Sequence, residues 1–165
     1  MDPIQIKVDV ARLGESLAMV LRSPDPPDPR CFVDKYVNVY IEPQKGGGQF
    51  PVCLQFEANL PITHVGFLLE GEKGPVPQCH RKGSCGGPFC LEKDIDPKSK
   101  ITPLIWNDGP GTYPPTEYHF MLWFESGKPT GIDPQIYNEG SGAGPLWWRW
   151  LPRRLRAWLR SRRRR

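Results

Sequence analysis

Cys79-His80, Cys85 and Cys90 place four potential soft-metal ligands within twelve residues, in a stretch rich in Gly and Pro. Zinc takes four S or N donors, and a metal clip would order such a loop. The spacing is not the paired C-x2-C of zinc modules, and adjacent residues on an extended chain point in different directions. The residues therefore read as incidental thiols, with a zinc site as one alternative. A disulfide is the other, if the compartment is oxidising. No metal ligand is assigned.

Nucleophilic chemistry needs a Cys or Ser beside an oriented base. Cys53 or Cys90 with His64 or His119 would supply the residue types, but no spacing supports the pairing. A histidine in a strand is most often structural, so no catalytic residue is assigned and a Cys-His enzyme ranks last. The chain has no phosphate loop, no G-x-S-x-G and no H-E-x-x-H. Gly46-Gly47-Gly48 lacks the Lys-Ser/Thr of a phosphate cradle and reads as a turn. Asp94, Asp96 and Asp108 lack EF-hand spacing and read as turn formers. No cofactor and no small-molecule substrate is expected.

The strongest signal is electrostatic. Residues 146–165 contain nine Arg, four Trp, four Leu and no acidic residue. Thirteen of the 22 basic residues remain in 1–145 against all eighteen acidic ones, so that part carries −5 while the chain carries +4. On helical spacing, Trp147, Trp148, Leu151, Leu155, Trp158 and Leu159 share an arc of about 120°, with Trp150 at its edge. Arg149, Arg153, Arg156 and Arg160 lie opposite, and Arg154 is off-pattern. Pro152 suits a first helical turn, so a helix is expected from about Pro152 to Ser161, followed by Arg162, Arg163, Arg164 and Arg165.

Such a segment fits an interfacial membrane binder. The Trp and Leu side chains would insert, and all nine Arg would bind anions. Each basic side chain near an anionic leaflet contributes ~1 kcal/mol, and each buried Trp or Leu a further ~1.5–3 kcal/mol. Two readings compete. The apolar stripe could pack on the chain's own core, or the Arg could hold nucleic-acid phosphates while the Trp stack on bases. The acidic body opposes the nucleic-acid reading.

The body must be built from short elements, because twenty Pro and seventeen Gly force frequent turns. Ile4, Ile6, Val8 and Val10 alternate with polar residues as in a half-buried strand. Residues 13–21 fit either a helix or a strand; Gly14 and their brevity favour a strand. Pro24–Pro29 is a stiff connector. Val37, Val39, Ile41 and then Val52, Leu54, Phe56 suggest a hairpin over 36–57. Val65, Phe67 and Leu69 form another run, and Ile101–Trp106 a short strand. Asn107–Gly111 is a turn. Tyr118–Phe124 is apolar on both faces, as in a covered strand.

These features predict an all-β fold: an antiparallel β-sandwich of roughly immunoglobulin-domain size over residues 1–125, with six or seven short strands. A small barrel or jelly roll is the alternative. Residues 126–145 read as a Gly/Pro-rich linker and 146–165 as the amphipathic tail. The start resembles no signal peptide and no apolar run would span a bilayer, which suggests a cytoplasmic protein with peripheral membrane contact. The expected function is a non-enzymatic adaptor. Its tail would meet anionic lipid or, alternatively, nucleic acid, as in a coat or packaging protein; its body would bind a protein partner.

Overall fold

The computed structural model describes residues 2–14, 16–35, 37–42, 51–111, 116–124 and 134–138. These form eleven strands: β1 (Ile4–Leu13), β2 (Ser16–Arg22), β3 (Cys31–Val33), β4 (Val39–Ile41), β5 (Val52–Ala58), β6 (Ile62–Leu69), β7 (Gly83–Ser84), β8 (Phe89–Leu91), β9 (Ile105–Asn107), β10 (Thr116–Phe124) and β11 (Gln135–Asn138). They assemble into a six-stranded sheet, β2-β1-β5-β9-β8-β7, and a five-stranded sheet, β3-β4-β11-β10-β6. The described residues contain no helix. The all-β expectation holds, with more strands than the six or seven expected.

β1 follows its pattern closely. Ile4, Ile6, Val8 and Val10 are buried, and Gln5, Lys7 and Asp9 are exposed. Gly14 takes the left-handed conformation at φ 63°, and β2 returns antiparallel with Leu13 opposite Ser16. The ambiguous segment is thus a strand, with Leu17, Met19 and Leu21 turned into the core.

Both sheets are mixed, where antiparallel order was expected. β1 runs parallel to β5, from Ile4–Leu54 to Val8–Ala58, and β4 runs parallel to β11. Parallel neighbours need a crossover. The chain provides one by leaving the six-stranded sheet after β2, forming β3 and β4 in the other sheet, and returning at β5. β4 and β5 therefore do not form the expected hairpin. Alternation fixes which face is buried but not which strand is the neighbour.

The linker reading of 126–145 also needs correction. Gln135–Asn138 within it is β11, buried throughout and paired with both β4 and β10. Four residues among Gly, Asp and Pro are too few to show a period. The remainder of that segment lies outside the described residues.

Side chains of the two sheets meet in one hydrophobic core. Phe56 of β5 stacks on Phe120 of β10 with ring centroids 5.4 Å apart, and Phe67 of β6 stacks on Phe89 of β8 at 3.8 Å. Buried aromatic pairs of this kind contribute about 0.5–1.5 kcal/mol beyond their area.

Candidate functional site

Every sheet end exposes unpaired backbone groups unless something covers it. β3 and β7 are short, at three and two residues. β6 has eight residues but lies under a strap formed by the chain that follows it. Val65 and Cys79 exchange backbone hydrogen bonds of 3.0 and 2.9 Å, and Phe67 N–H donates to the Cys85 carbonyl at 2.9 Å. The strap sits so close that a Cβ on Gly66 would overlap the Pro77 carbonyl, and one on Gly86 would overlap that of Phe67.

β2 differs. It has seven residues, carries no charge from Leu17 to Leu21, and pairs only with β1 among the described residues. The direction of its free groups follows from Asn59. The Asn59 amide accepts from Val10 N–H at 2.8 Å and donates to Val10 C=O at 2.9 Å, continuing the β5 side of β1 where β5 ends. A strand residue points both backbone groups the same way, and neighbours alternate. Val10 faces β5, so Asp9 and Ala11 face β2 and meet Val20 and Ala18. The N–H and C=O of Leu17, Met19 and Leu21 must then point away from the sheet. Beside them, Val20 and Leu13 are 54% and 65% exposed. This edge can accept an added strand.

The strap carries the second cluster. It brings the His80 ring to 5.1 Å from that of His64, edge-on, and Trp123 lies 6.4 Å from His64. Thr63 Oγ1 contacts the Trp123 and Phe124 carbonyls at 3.3 and 3.4 Å and His64 Nδ1 at 3.1 Å. The hydroxyl has one proton and donates it to a carbonyl, so Oγ1 accepts from His64 Nδ1–H. Nε2 then carries the lone pair. Burial and the nearby His80 charge both hold His64 below the usual histidine range. The Thr63 contact orients the ring, and its surroundings disfavour the imidazolium.

The Cys79 thiol donates to the Ser84 carbonyl at 3.4 Å and the Cys85 thiol to the Gly83 carbonyl at 3.6 Å, and burial, then neighbouring Cys79, pushes the Cys85 thiol far up. Cys90 is exposed, with its thiol 3.8 Å from the Leu91 carbonyl. Among the described residues, no group of three or more His, Cys, Asp or Glu is arranged to hold a metal ion. The zinc alternative for Cys79, His80, Cys85 and Cys90 loses its geometric basis.

No protein-family model, curated protein or solved structure matches this chain. The site therefore rests on geometry alone.

The remaining candidate residues are dispersed. Cys53 is fully buried in β5, and burial and the Glu92 charge raise its thiol, opposite to an activated nucleophile. It and Cys90 belong to the six-stranded sheet, His64 and His119 to the other. Asp96 accepts from Lys98 N–H, two residues on, at 2.9 Å, which fits its reading as a turn former; Asp94 instead accepts from Lys82 N–H at 2.8 Å, twelve residues back along the chain, and ties the loop to it. Both aspartates line an open cleft of about 490 Å³ with Glu92, Gln55 and Thr102. Gly46–Gly48 and all the tail residues, Trp147 to Arg165, lie outside the described residues. No helix of the described residues is long and apolar enough to cross a membrane.

The β2 edge and the His64–His80 pair are absent from the sequence reading; Cys79 and Cys85 enter it only as members of the Cys-rich loop, with a disulfide as one alternative. Gly66 offered one signal: a glycine inside a strand often marks close approach of another backbone.

Proposed function

We propose that this chain is a non-enzymatic adaptor: a β-sandwich that takes an extended segment of a partner protein along β2, held at an anionic membrane surface by residues 146–165. One observation carries the reading: nine arginines and four tryptophans lie in the last twenty residues, while the rest of the chain is net −5. An amphipathic helix from about Pro152 to Ser161 would direct Trp158, Leu155 and Leu159 toward the acyl boundary and the arginines toward headgroups. The acidic body would keep clear of the same surface and of nucleic acid.

Support for the body's role comes from the uneven treatment of the sheet edges. Two are short, one is strapped, and β2 is long, uncharged over five residues and open on its outer side among the described residues. Support for a non-catalytic role comes from Cys53, whose burial raises its thiol, opposite to activation, and from the placement of Cys53 and Cys90 in one sheet and of His64 and His119 in the other.

Vesicle co-sedimentation of the full chain tests the membrane part. Binding is expected to vesicles containing phosphatidylserine and not to purely zwitterionic ones, with a portion resisting high salt. Replacing Trp147, Trp148, Trp150 and Trp158 by Ala should weaken binding about tenfold or more. Equal binding of both chains would overturn the proposal. So would steeply salt-dependent capture of single-stranded nucleic acid with no vesicle binding, which would favour the packaging reading.

A further inference from the structure

We propose that Cys79 and Cys85 form a redox-active dithiol that closes to an intramolecular disulfide and locks the strap onto β6. The approach of the two residues is imposed by backbone. Cys79 is fixed on Val65 by two hydrogen bonds, and Cys85 is fixed on Phe67 through its carbonyl and on Phe89 through its N–H at 2.8 Å. Val65 and Phe67 are successive inward residues of β6, so both ends of the seven-residue loop are held on one strand. Both thiols stay within the loop, that of Cys79 3.4 Å from the Ser84 carbonyl and that of Cys85 3.6 Å from the Gly83 carbonyl, two adjacent residues.

The two positions divide the work. Cys79 is partly exposed and meets the oxidant; Cys85 is fully buried and resolves. The co-reactant is a low-molecular-weight disulfide, RSSR. The Cys79 thiolate, having lost its proton to water, attacks one sulfur of RSSR; a mixed disulfide forms and RS⁻ leaves and is protonated. Cys85, deprotonated in turn, attacks Sγ of Cys79, and the second RS⁻ leaves. Two thiols lose two electrons and two protons, and RSSR becomes two RSH. Because burial holds the Cys85 thiol far up, the second step should accelerate about tenfold per pH unit through the neutral and mildly alkaline range.

The test uses the full chain equilibrated with oxidised glutathione. Trypsin cuts at Arg81 and Lys82, between the two cysteines, so the disulfide links two peptides detectable by mass spectrometry. The link should appear in the unaltered chain and in Cys90→Ser, and vanish in Cys79→Ser and Cys85→Ala. The oxidised chain should melt about 5 °C above the reduced one, as expected for closing a short loop. Glutathione left on Cys79 with no link would overturn the proposal, as would a link that disappears in Cys90→Ser. If Cys85→Ala fails to fold, the unaltered chain and Cys90→Ser still decide it.

Discussion

Asn107 and Asn138 exchange two side-chain hydrogen bonds across the core, 2.8 Å from Asn107 Nδ2 to Asn138 Oδ1 and 3.1 Å in return. Asn107 ends β9 in one sheet, and Asn138 ends β11 in the other. Both are fully buried. Asn107 Oδ1 also accepts from Gly109 N–H at 3.0 Å, so the turn after β9 and the bridge between sheets share one amide. A buried amide deprived of its partner retains the full cost of leaving water, about 1–3 kcal/mol. Asn138→Ala should therefore lower unfolding stability by about that amount in urea titration. An unchanged midpoint would mean that the pair contributes nothing to stability.

Gly66→Ala should dislodge the strap. The added methyl would overlap the Pro77 carbonyl, which belongs to backbone and cannot rotate away. Overpacking of this kind costs about 1–3 kcal/mol. Hydrogen exchange separates this from a general loss: the Val65 and Phe67 amides, bonded to the strap, should lose protection more than that of Leu54 in β5. Equal loss at all three would indicate global destabilisation.

Alternation in β1, β5 and β6 revealed these strands because each buries one face and period two is visible within seven or more residues. It could not identify neighbours, so β4 and β5 looked like a hairpin. β3, β7 and β8, at two or three residues, are too short to have a period. β11 was hidden for the same reason, although Gln135–Asn138 occupies an interior position of its sheet. Asn107 was legible as a turn former and not as a bridge, because its partner comes from the segment read as linker. His64 and His80 are joined only by the path of the strap, which Gly and Pro content does not specify.

His64 should make stability fall on acidification. Its pKa lies below the usual 6.5 because burial, then the His80 charge, disfavours the imidazolium. Between that depressed value and 6.5 the unfolded chain binds more protons, so acid favours unfolding there. The group costs nothing above 6.5; its penalty grows as pH falls through the window and levels off below the folded pKa. Denaturation of the full chain and of His64→Gln, measured from about pH 7.5 to about pH 5, should show the steeper decline in the unaltered chain. Parallel profiles would remove His64 as the source.

The β2 edge makes a claim about individual amides. Leu17, Met19 and Leu21 bury their side chains while their N–H groups point outward; Ala18 and Val20 do the reverse, with N–H groups bonded to β1. Exchange rates should alternate along β2, fast at 17, 19 and 21 and slow at 18 and 20. A peptide selected from an extended-sequence library should slow the fast set on binding. Val20→Lys should weaken that binding about tenfold, since a charge on an edge strand opposes further pairing. Val20 is 54% exposed, so the same change should alter stability by no more than about 0.5 kcal/mol. Uniformly slow exchange along β2 would show that its outer side is already paired, and the recognition edge would have to be sought elsewhere.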